Sequence, residues 1–196
     1  YNYKQLREEL QTLGHNFASN SDSEVVLHGY EQWGHDVVNH LRGMFAFVIF
    51  NKENNELFGA RDMFGIKPFY YRIGKEGISF SSEFKAFMFD SEMKEYSIDE
   101  SALQSFFTFQ YVTEPDTVSP DIKILPAGSY AVIDSSLTLT PITYFDNRFT
   151  PNKKISFDEK EKNLRRALEN SIQAHMLSDV PVGSFLSSGI DSAVIP

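Results

Sequence analysis

From Met44 to Ser82 the chain reads as four short runs of aromatic and β-branched residues with a period of two, and this pattern restricts its fold more than any other feature. The runs are Met44–Phe50, Glu56–Arg61, Pro68–Ile73 and Gly77–Ser82, separated by Asn-Lys-Glu-Asn-Asn, Met-Phe-Gly-Ile-Lys and Gly-Lys-Glu turns. Alternation places every second side chain on one face, so the segment predicts an antiparallel sheet with short connections. Eighteen Phe and nine Tyr supply a core built on aromatic strand positions.

Helices flank this block. Tyr3, Leu6, Leu10 and Leu13 step by three or four before Gly14, the pattern of an amphipathic helix with a C-terminal glycine. Ser21-Asp22-Ser23-Glu24 has the Ser-x-x-Glu form of a capping box, and Val25, Val26, Tyr30 and Trp33 give the next helix its apolar face. Beyond the sheet, helix is expected at Phe84–Phe89 and about Ile98–Gln110, then strands at about Lys123–Ile133 and Thr138–Phe145. Strands and helices grouped in blocks predict stacked layers rather than alternating βαβ units.

A second unit is expected to follow. Residues 147–155 are polar and turn-rich, the best linker candidate, which divides the chain into 1–146 and 156–196. Ser156-Phe157-Asp158-Glu159 is another capping box, opening a long helix in which Leu164, Ala167, Leu168, Ser171, Ile172 and His175 share one face. Pro181 lies past its end, and Val182–Leu186 is a continuous apolar run of the kind expected of a buried parallel strand. That run leads into Ser187-Ser188-Gly189-Ile190-Asp191-Ser192. A Ser/Gly loop at the carboxyl end of a parallel strand is how open α/β sheets build phosphate sites, because small residues let phosphoryl oxygens reach backbone N–H groups. The hydroxyls of Ser187, Ser188 and Ser192 add donors. Asp191 would repel bare phosphate, so its place there fits a Mg²⁺ bridging to pyrophosphate. Taken alone, the cluster is equally well a polar turn that caps the next helix.

Charge and composition remove other classes. A net charge of −9, from 27 acids and 18 bases with no basic cluster, excludes a phosphate-neutralising stripe for nucleic acid. No apolar run approaches the ~20 residues of a membrane span, and the chain reads as cytoplasmic. The absence of Cys removes disulfides, thiolate metal sites and a cysteine nucleophile from this stretch. His15, His28, His35, His40 and His175 show no spacing that gathers them on one metal and are expected to be surface or packing residues.

Several further segments, in order, resemble the glutamine-dependent asparagine synthetases. They are Tyr1-Asn2 before the first helix, Ser21-Asp22-x-Glu24-Val25 and Arg42-Gly43-Met44-Phe45-Ala46-Phe47. Arg61-Asp62-x-x-Gly65-x-Lys67-Pro68-x-Tyr70, Ser82-Glu83-x-Lys85-Ala86, Leu125-Pro126-Ala127-Gly128 and Ser178-Asp179-Val180-Pro181-x-Gly183 follow. The last loop resembles the Ser-Gly-Gly-x-Asp-Ser loop of the ATP pyrophosphatases, with Ser188 where that family has its first Gly.

The resemblance implies an α+β fold: the rear part of an N-terminal-nucleophile αββα sandwich of the glutaminase type, followed by the start of an α/β ATP-pyrophosphatase domain. It implies a two-site enzyme in which an N-terminal Cys releases ammonia from glutamine and the second site adenylates aspartate with ATP and Mg²⁺. Asp22 is the expected holder of the glutamine ammonium, with helix capping as its alternative role. Phe185, Leu186, Ser187, Ser188, Gly189, Asp191 and Ser192 are the expected ATP and pyrophosphate residues, and Asp191 the Mg²⁺ ligand. Arg61, Asp62, Gly65, Lys67, Glu83 and Lys85 recur in the family and are expected to be structural.

With no Cys and one strand of the rear domain, the chain as written is expected to hold neither complete active site. Glutamine, aspartate and ATP are the implied small-molecule partners, with no nucleic acid or membrane, and a homodimer is among the assemblies allowed. Two rival readings stand beside this one. β-Lactam synthetases and related amidotransferases share these segments but use other acceptors, and a degenerate relative would keep the folds as a binding subunit.

Overall fold

The computed structural model describes residues 1–75, 77–89 and 97–194. The four period-two runs fold as β1 (Ala46–Asn51), β2 (Glu56–Arg61), β3 (Tyr70–Ile73) and β4 (Ile78–Ser81). They do not stay in one sheet. β1 pairs with β2 from Ala46↔Arg61 to Asn51↔Glu56, while β3 pairs with β4 in a separate sheet. The expected strand Lys123–Ile133 is likewise divided, into β5 (Ile122–Ile124) on β3 and β6 (Ser129–Ile133) on β2. The cause is Leu125-Pro126-Ala127-Gly128, where Pro126 has no N–H to donate and Gly128 turns at φ +62°. The last expected strand, Thr138–Phe145, shortens to β7 (Ile142–Thr143), directly after Pro141. The two antiparallel sheets have the orders β1-β2-β6-β7 and β4-β3-β5.

Strand alternation sorts the side chains into layers. Ala46, Val48, Leu57, Ala131 and Ile133 of the first sheet meet Phe69, Tyr71, Ile78 and Phe80 of the second, forming the core between them. The opposite face of the first sheet, with Phe47, Ile49, Phe58, Ala60, Tyr130 and Val132, carries α2 (Asp22–Trp33) and α3 (Val37–His40). Phe58 is wholly enclosed there, which contributes about 1.5–3 kcal/mol relative to exposure. α1 (Tyr3–Thr12) packs on α2 through Leu6, Leu10 and Val25. The 3₁₀ helix Phe84–Phe89 covers the far face of the second sheet, with Phe87 against Ile122. α4 (Glu100–Phe109) starts on Asp99, whose carboxylate accepts from Ser101 N and Ala102 N. The order is helix, sheet, sheet, helix.

Two devices fix the joints. At the end of β2 the Arg61 guanidinium donates to Lys67 O, Leu125 O, Gly65 O and the Glu114 carboxylate, tying both sheets to one buried side chain. Gly65, at φ +63°, is required: a Cβ would stand 2.8 Å from Arg61 Nη2 and 3.0 Å from Ala127 Cβ. Tyr144 donates its hydroxyl to Arg61 O at 2.8 Å, and burial first, then the Asp62 charge, pushes its phenol well above the ordinary value.

At the start of α2 the predicted N-cap forms, but the reciprocal bond of a capping box does not. Ser21 caps Ser23 N, but Glu24 reaches away from Ser21 N to Ala18 N, Ser19 N and Ser19 Oγ at 2.6–2.7 Å. These bonds, the Ser19 hydroxyl first, hold the Glu24 carboxyl at about 2. Because this lies below the ordinary value of 4.5, the stabilisation is complete above about pH 4.5 and disappears as pH falls through about 2. Glu24→Gln is therefore expected to lower the melting temperature at pH 6 and to have a much smaller effect near pH 2. An equal loss at both pH values would show that the carboxylate charge is not what holds this turn.

α5 (Phe157–His175) begins on Ser156, whose Oγ accepts from Glu159 N. Its predicted apolar face is open, with Leu164 and Leu168 exposed. It meets the sandwich through Arg42 Nη2 donating to Asn170 O and through the Tyr1 and His175 rings, 4.5 Å apart. Val182–Leu186 corrects the sequence reading: it is neither a strand nor buried, and Phe185 is fully exposed. A parallel strand exists only through hydrogen bonds to neighbours, and no described strand lies beside this run.

Candidate functional site

The free edge of β1 faces a cleft of about 710 Å³, walled by Met44–Phe50 on one side and by Asp22, Ser23, Val26 and Leu27 on the other. Asp22 is the first residue of α2, where the positive end of the helix favours a carboxylate. The capping role belongs to Ser21, so the carboxylate of Asp22 is not consumed in holding the helix start. It is exposed and has no hydrogen bond or ion pair among the described residues. A second cleft, of about 380 Å³, adjoins the same residue and is lined by Tyr1, Tyr3, Met44 and Leu177–Asp179. Asp22 thus stands between the sheet edge and the segment that follows α5, an anionic group with its acceptors available.

The rear loop closes on itself. Ser187 Oγ and Ser192 Oγ are 2.6 Å apart; Ser187 N donates to Ser192 Oγ, and Gly189 N to Ser187 Oγ. Ser192 Oγ also lies 3.1 Å from Ser187 O and 3.0 Å from Gly189 O. α6 (Ile190–Val194) follows. Two of the three predicted hydroxyl donors are therefore engaged with each other, whereas the Ser188 hydroxyl and the Asp191 carboxylate have no described partner. Neither of the two clefts at Asp22 is lined by the loop.

The remaining predicted residues separate into classes. Arg61 and Asp62 are buried and fully engaged with the backbone, as expected of structural residues. His35 stacks on Phe58, His40 stacks on Trp33 at 3.8 Å, and His175 lies 2.8 Å from Ser171 O. His15 and His28, which have no common sequence spacing, lie together in the fold. The connection after α1 folds back on α2 and sets His15 and His28 against Glu31. Sequence spacing could not signal this, because His15 reaches the pair through a loop.

The layer order defines the class: an αββα sandwich. The chain belongs to the glutamine amidotransferase domain family, which matches residues 1–145, and the asparagine synthase family matches residues 163–196. Among curated relatives it is 44% identical over 195 residues to asparagine synthetase [glutamine-hydrolyzing] 1 of Bacillus subtilis (strain 168). It is 41% identical over 210 residues to a putative asparagine synthetase [glutamine-hydrolyzing] of Mycobacterium tuberculosis (strain ATCC 25618 / H37Rv). Each match covers all of this chain but only 30% and 31% of the relative. Among solved structures, the glutamine phosphoribosylpyrophosphate amidotransferase from B. subtilis superposes with a TM-score of 0.51 at 18% identity. It covers 98% of this chain and 40% of that one, a likeness of fold alone.

Proposed function

We propose that the chain is the glutaminase sandwich and the opening of the ATP-using domain of a glutamine-hydrolysing asparagine synthetase, with the linker at 147–155. The observation that carries this reading is order: an amidotransferase match at 1–145 and an asparagine synthase match at 163–196, within end-to-end identity to proteins of that name. The overall reaction makes asparagine from aspartate, ATP and the ammonia of glutamine. Adenylation is needed because a carboxylate has no leaving group until one is attached, and pyrophosphate is then left for the loop to hold. A cytoplasmic location fits this chemistry, and no described helix is long and apolar enough to cross a membrane.

Each candidate residue has a role in it. Asp22 holds the glutamine ammonium, which its exposed carboxylate at a cleft wall, engaged in no described hydrogen bond, supports. Phe185 and Leu186 lie at the adenine end of the nucleotide, and Ser187, Ser188, Gly189 and Ser192 surround its phosphates. The loop suits an anion: at Gly189 an added Cβ would meet nothing nearer than 3.5 Å, and the Ser188 hydroxyl is uncommitted. Asp191 suits Mg²⁺, being exposed and unpaired. When bound there, the ion supplies charge neutralisation at the pyrophosphate.

The test is asparagine formation by the intact protein from aspartate and ATP, with glutamine or ammonia as nitrogen source. No asparagine from either source, with pyrophosphate release dependent on another acceptor, would overturn the assignment of aspartate. Asp22→Asn is expected to lower kcat/KM for glutamine by a charge-assisted hydrogen bond, on the order of 1.5–3 kcal/mol or about 10- to 150-fold. Synthesis from ammonia continues in that variant. Equal loss with both nitrogen sources would make Asp22 a structural residue of α2.

A further inference from the structure

Three lone-pair atoms converge on the α1–α2 hairpin, on residues that do not line the strand-edge cleft. His15 Nδ1 and His28 Nδ1 are 3.2 Å apart, His28 Nδ1 and Glu31 Oε2 2.9 Å, and His15 Nδ1 and Glu31 Oε2 3.7 Å. We propose that His15, His28 and Glu31 form a binding site for a divalent transition metal of the zinc class.

The first argument is size. Tetrahedral Zn²⁺ with ligand bonds of about 2.0–2.1 Å sets its ligand atoms about 3.3 Å from one another. The three separations here average about 3.3 Å. One ion, set back from the plane of the triangle, reaches all three atoms at bonding distance with little movement.

The second argument counts protons. An imidazole Nδ1 carries either a proton or an in-plane lone pair, never both. A proton on His28 Nδ1 must be divided between Glu31 and His15. A proton on His15 Nδ1 instead leaves the His28 lone pair facing the Glu31 carboxylate at 2.9 Å. With both protonated, two N–H groups oppose each other at 3.2 Å. Hydrogen bonding satisfies two sides of the triangle at best, whereas a cation uses three lone pairs together.

The surroundings set the required tautomers. His15 Nε2 lies 3.0 Å from Gln32 Oε1, an acceptor, so its proton belongs on Nε2 and the lone pair on Nδ1. His28 Nε2 faces Glu24 Oε1 at 3.7 Å, and Glu24 is itself held by Ala18 and Ser19. The outer acceptor on His15 is the arrangement that orients a metal-bound histidine, while the Glu24 carboxylate lies at ion-pair rather than hydrogen-bond distance from His28. His28 and Glu31 are three apart on α2 and so share a face, while Phe17, edge-on to His28 at 4.5 Å, closes one side. The Glu31 side chain is half exposed, which leaves an entry path and a fourth position for water.

Two imidazoles and one carboxylate suit Zn²⁺, Co²⁺, Ni²⁺ or Cu²⁺; Mg²⁺ and Ca²⁺ prefer oxygen throughout. The consequence is structural. The metal clamps the connection after α1 onto α2, adding to the small apolar contact of Leu6, Leu10 and Val25. Nothing in this proposal depends on the reading of the amidotransferase chemistry.

The test is titration of the metal-stripped intact protein with Co²⁺, followed by visible absorption and equilibrium dialysis. Wild type is expected to bind one equivalent at this site with the strong bands of a four-coordinate ion, displaced by Zn²⁺. His15→Ala and His28→Ala lose that equivalent and those bands; Gln32→Ala keeps the bands but weakens binding about 10- to 100-fold. His35→Ala leaves both unchanged. Zn²⁺ raises the melting temperature of wild type but not of the His28→Ala protein. Should the histidine variants not fold, Glu31→Gln, at an exposed position, still removes the anionic ligand and must lower the affinity. Identical stoichiometry and spectra in wild type and a folded ligand variant would overturn the proposal, as would the absence of four-coordinate bands at saturation.

Discussion

Asp191→Asn, introduced into the intact protein, is expected to abolish asparagine formation from glutamine and from ammonia alike while glutamine hydrolysis continues. On the proposed reading, the two nitrogen routes converge at the step that uses ATP, so a lesion at the pyrophosphate loop blocks both. Asparagine keeps the size of the side chain and removes its charge, which is what a hard divalent cation needs from a ligand. Nothing in the described structure depends on that charge, since Asp191 is exposed and forms no hydrogen bond or ion pair, so the variant is expected to fold. Ser192→Ala has a different basis. The Ser192 hydroxyl touches Ser187 Oγ and the carbonyls of Ser187 and Gly189, so its loss opens the loop rather than removing a direct donor. Ser188→Gly is expected to be tolerated, because it restores the glycine of the loop that this segment resembles and keeps the backbone N–H as a donor. Pyrophosphate release with aspartate and ATP, beside circular dichroism, separates the three. Wild-type release by a folded Asp191→Asn protein would return Ser187–Ser192 to the status of a turn.

What the sequence carried, and what it could not, divides along the range of the interactions. The strands at Ala46–Arg61 and Tyr70–Ser81 were legible because alternation is local and turn residues separate the runs. Blocks of like elements pointed to stacked layers, but the helix-sheet-sheet-helix order was implied only by the family resemblance, since alternation alone reads as one sheet where the structure has two. The division of β5 from β6 was hidden: Leu125–Gly128 looks like a pause within one strand, and only its pairing partners reveal that it passes from sheet to sheet. Val182–Leu186 failed for the opposite reason. Its composition suits a buried strand, but burial and pairing come from neighbours, and the described residues supply none. The proximity of His15 to His28 and Glu31 was not legible, because it arises across a helical hairpin rather than from spacing along one segment. In Glu24 the local rule was half right: Ser21 capped the helix, and the carboxylate found stronger donors in the preceding turn.

Asp62 was expected to be structural, and the geometry makes its replacement the most damaging predicted for the fold. Its side chain is buried after the last residue of β2, and it accepts four backbone N–H groups: Phe64 and Ile66 on Oδ1, Phe45 and Lys67 on Oδ2. Its own N–H bonds Phe45 O, and its carbonyl accepts from Gly65 N and Gly128 N. One residue thus fixes the 62–67 turn, the entry to β1 and the crossing between sheets. A carboxylate is acceptor-only on both oxygens, which is why this position suits Asp. In Asp62→Asn one oxygen becomes an NH₂ group aimed at two N–H donors, whichever way the amide is turned. Two N–H groups in a poorly hydrated turn then lose their acceptor, at about 1–3 kcal/mol each, or roughly 2–6 kcal/mol together. Against a total stability of about 5–15 kcal/mol, that removes much of the margin. Asp116→Asn is the comparison: its pairing with Lys123 at 2.9 Å is exposed and is expected to contribute under about 1 kcal/mol. Thermal melting and amide exchange of the intact proteins measure both effects. The Asp62→Asn protein should melt far lower, with fast exchange at Phe64, Ile66 and Lys67, while the Asp116→Asn protein follows wild type. An unchanged melting temperature with protection retained at those three amides would show that the turn holds its shape without the carboxylate, and that the Arg61 contacts alone join the sheets.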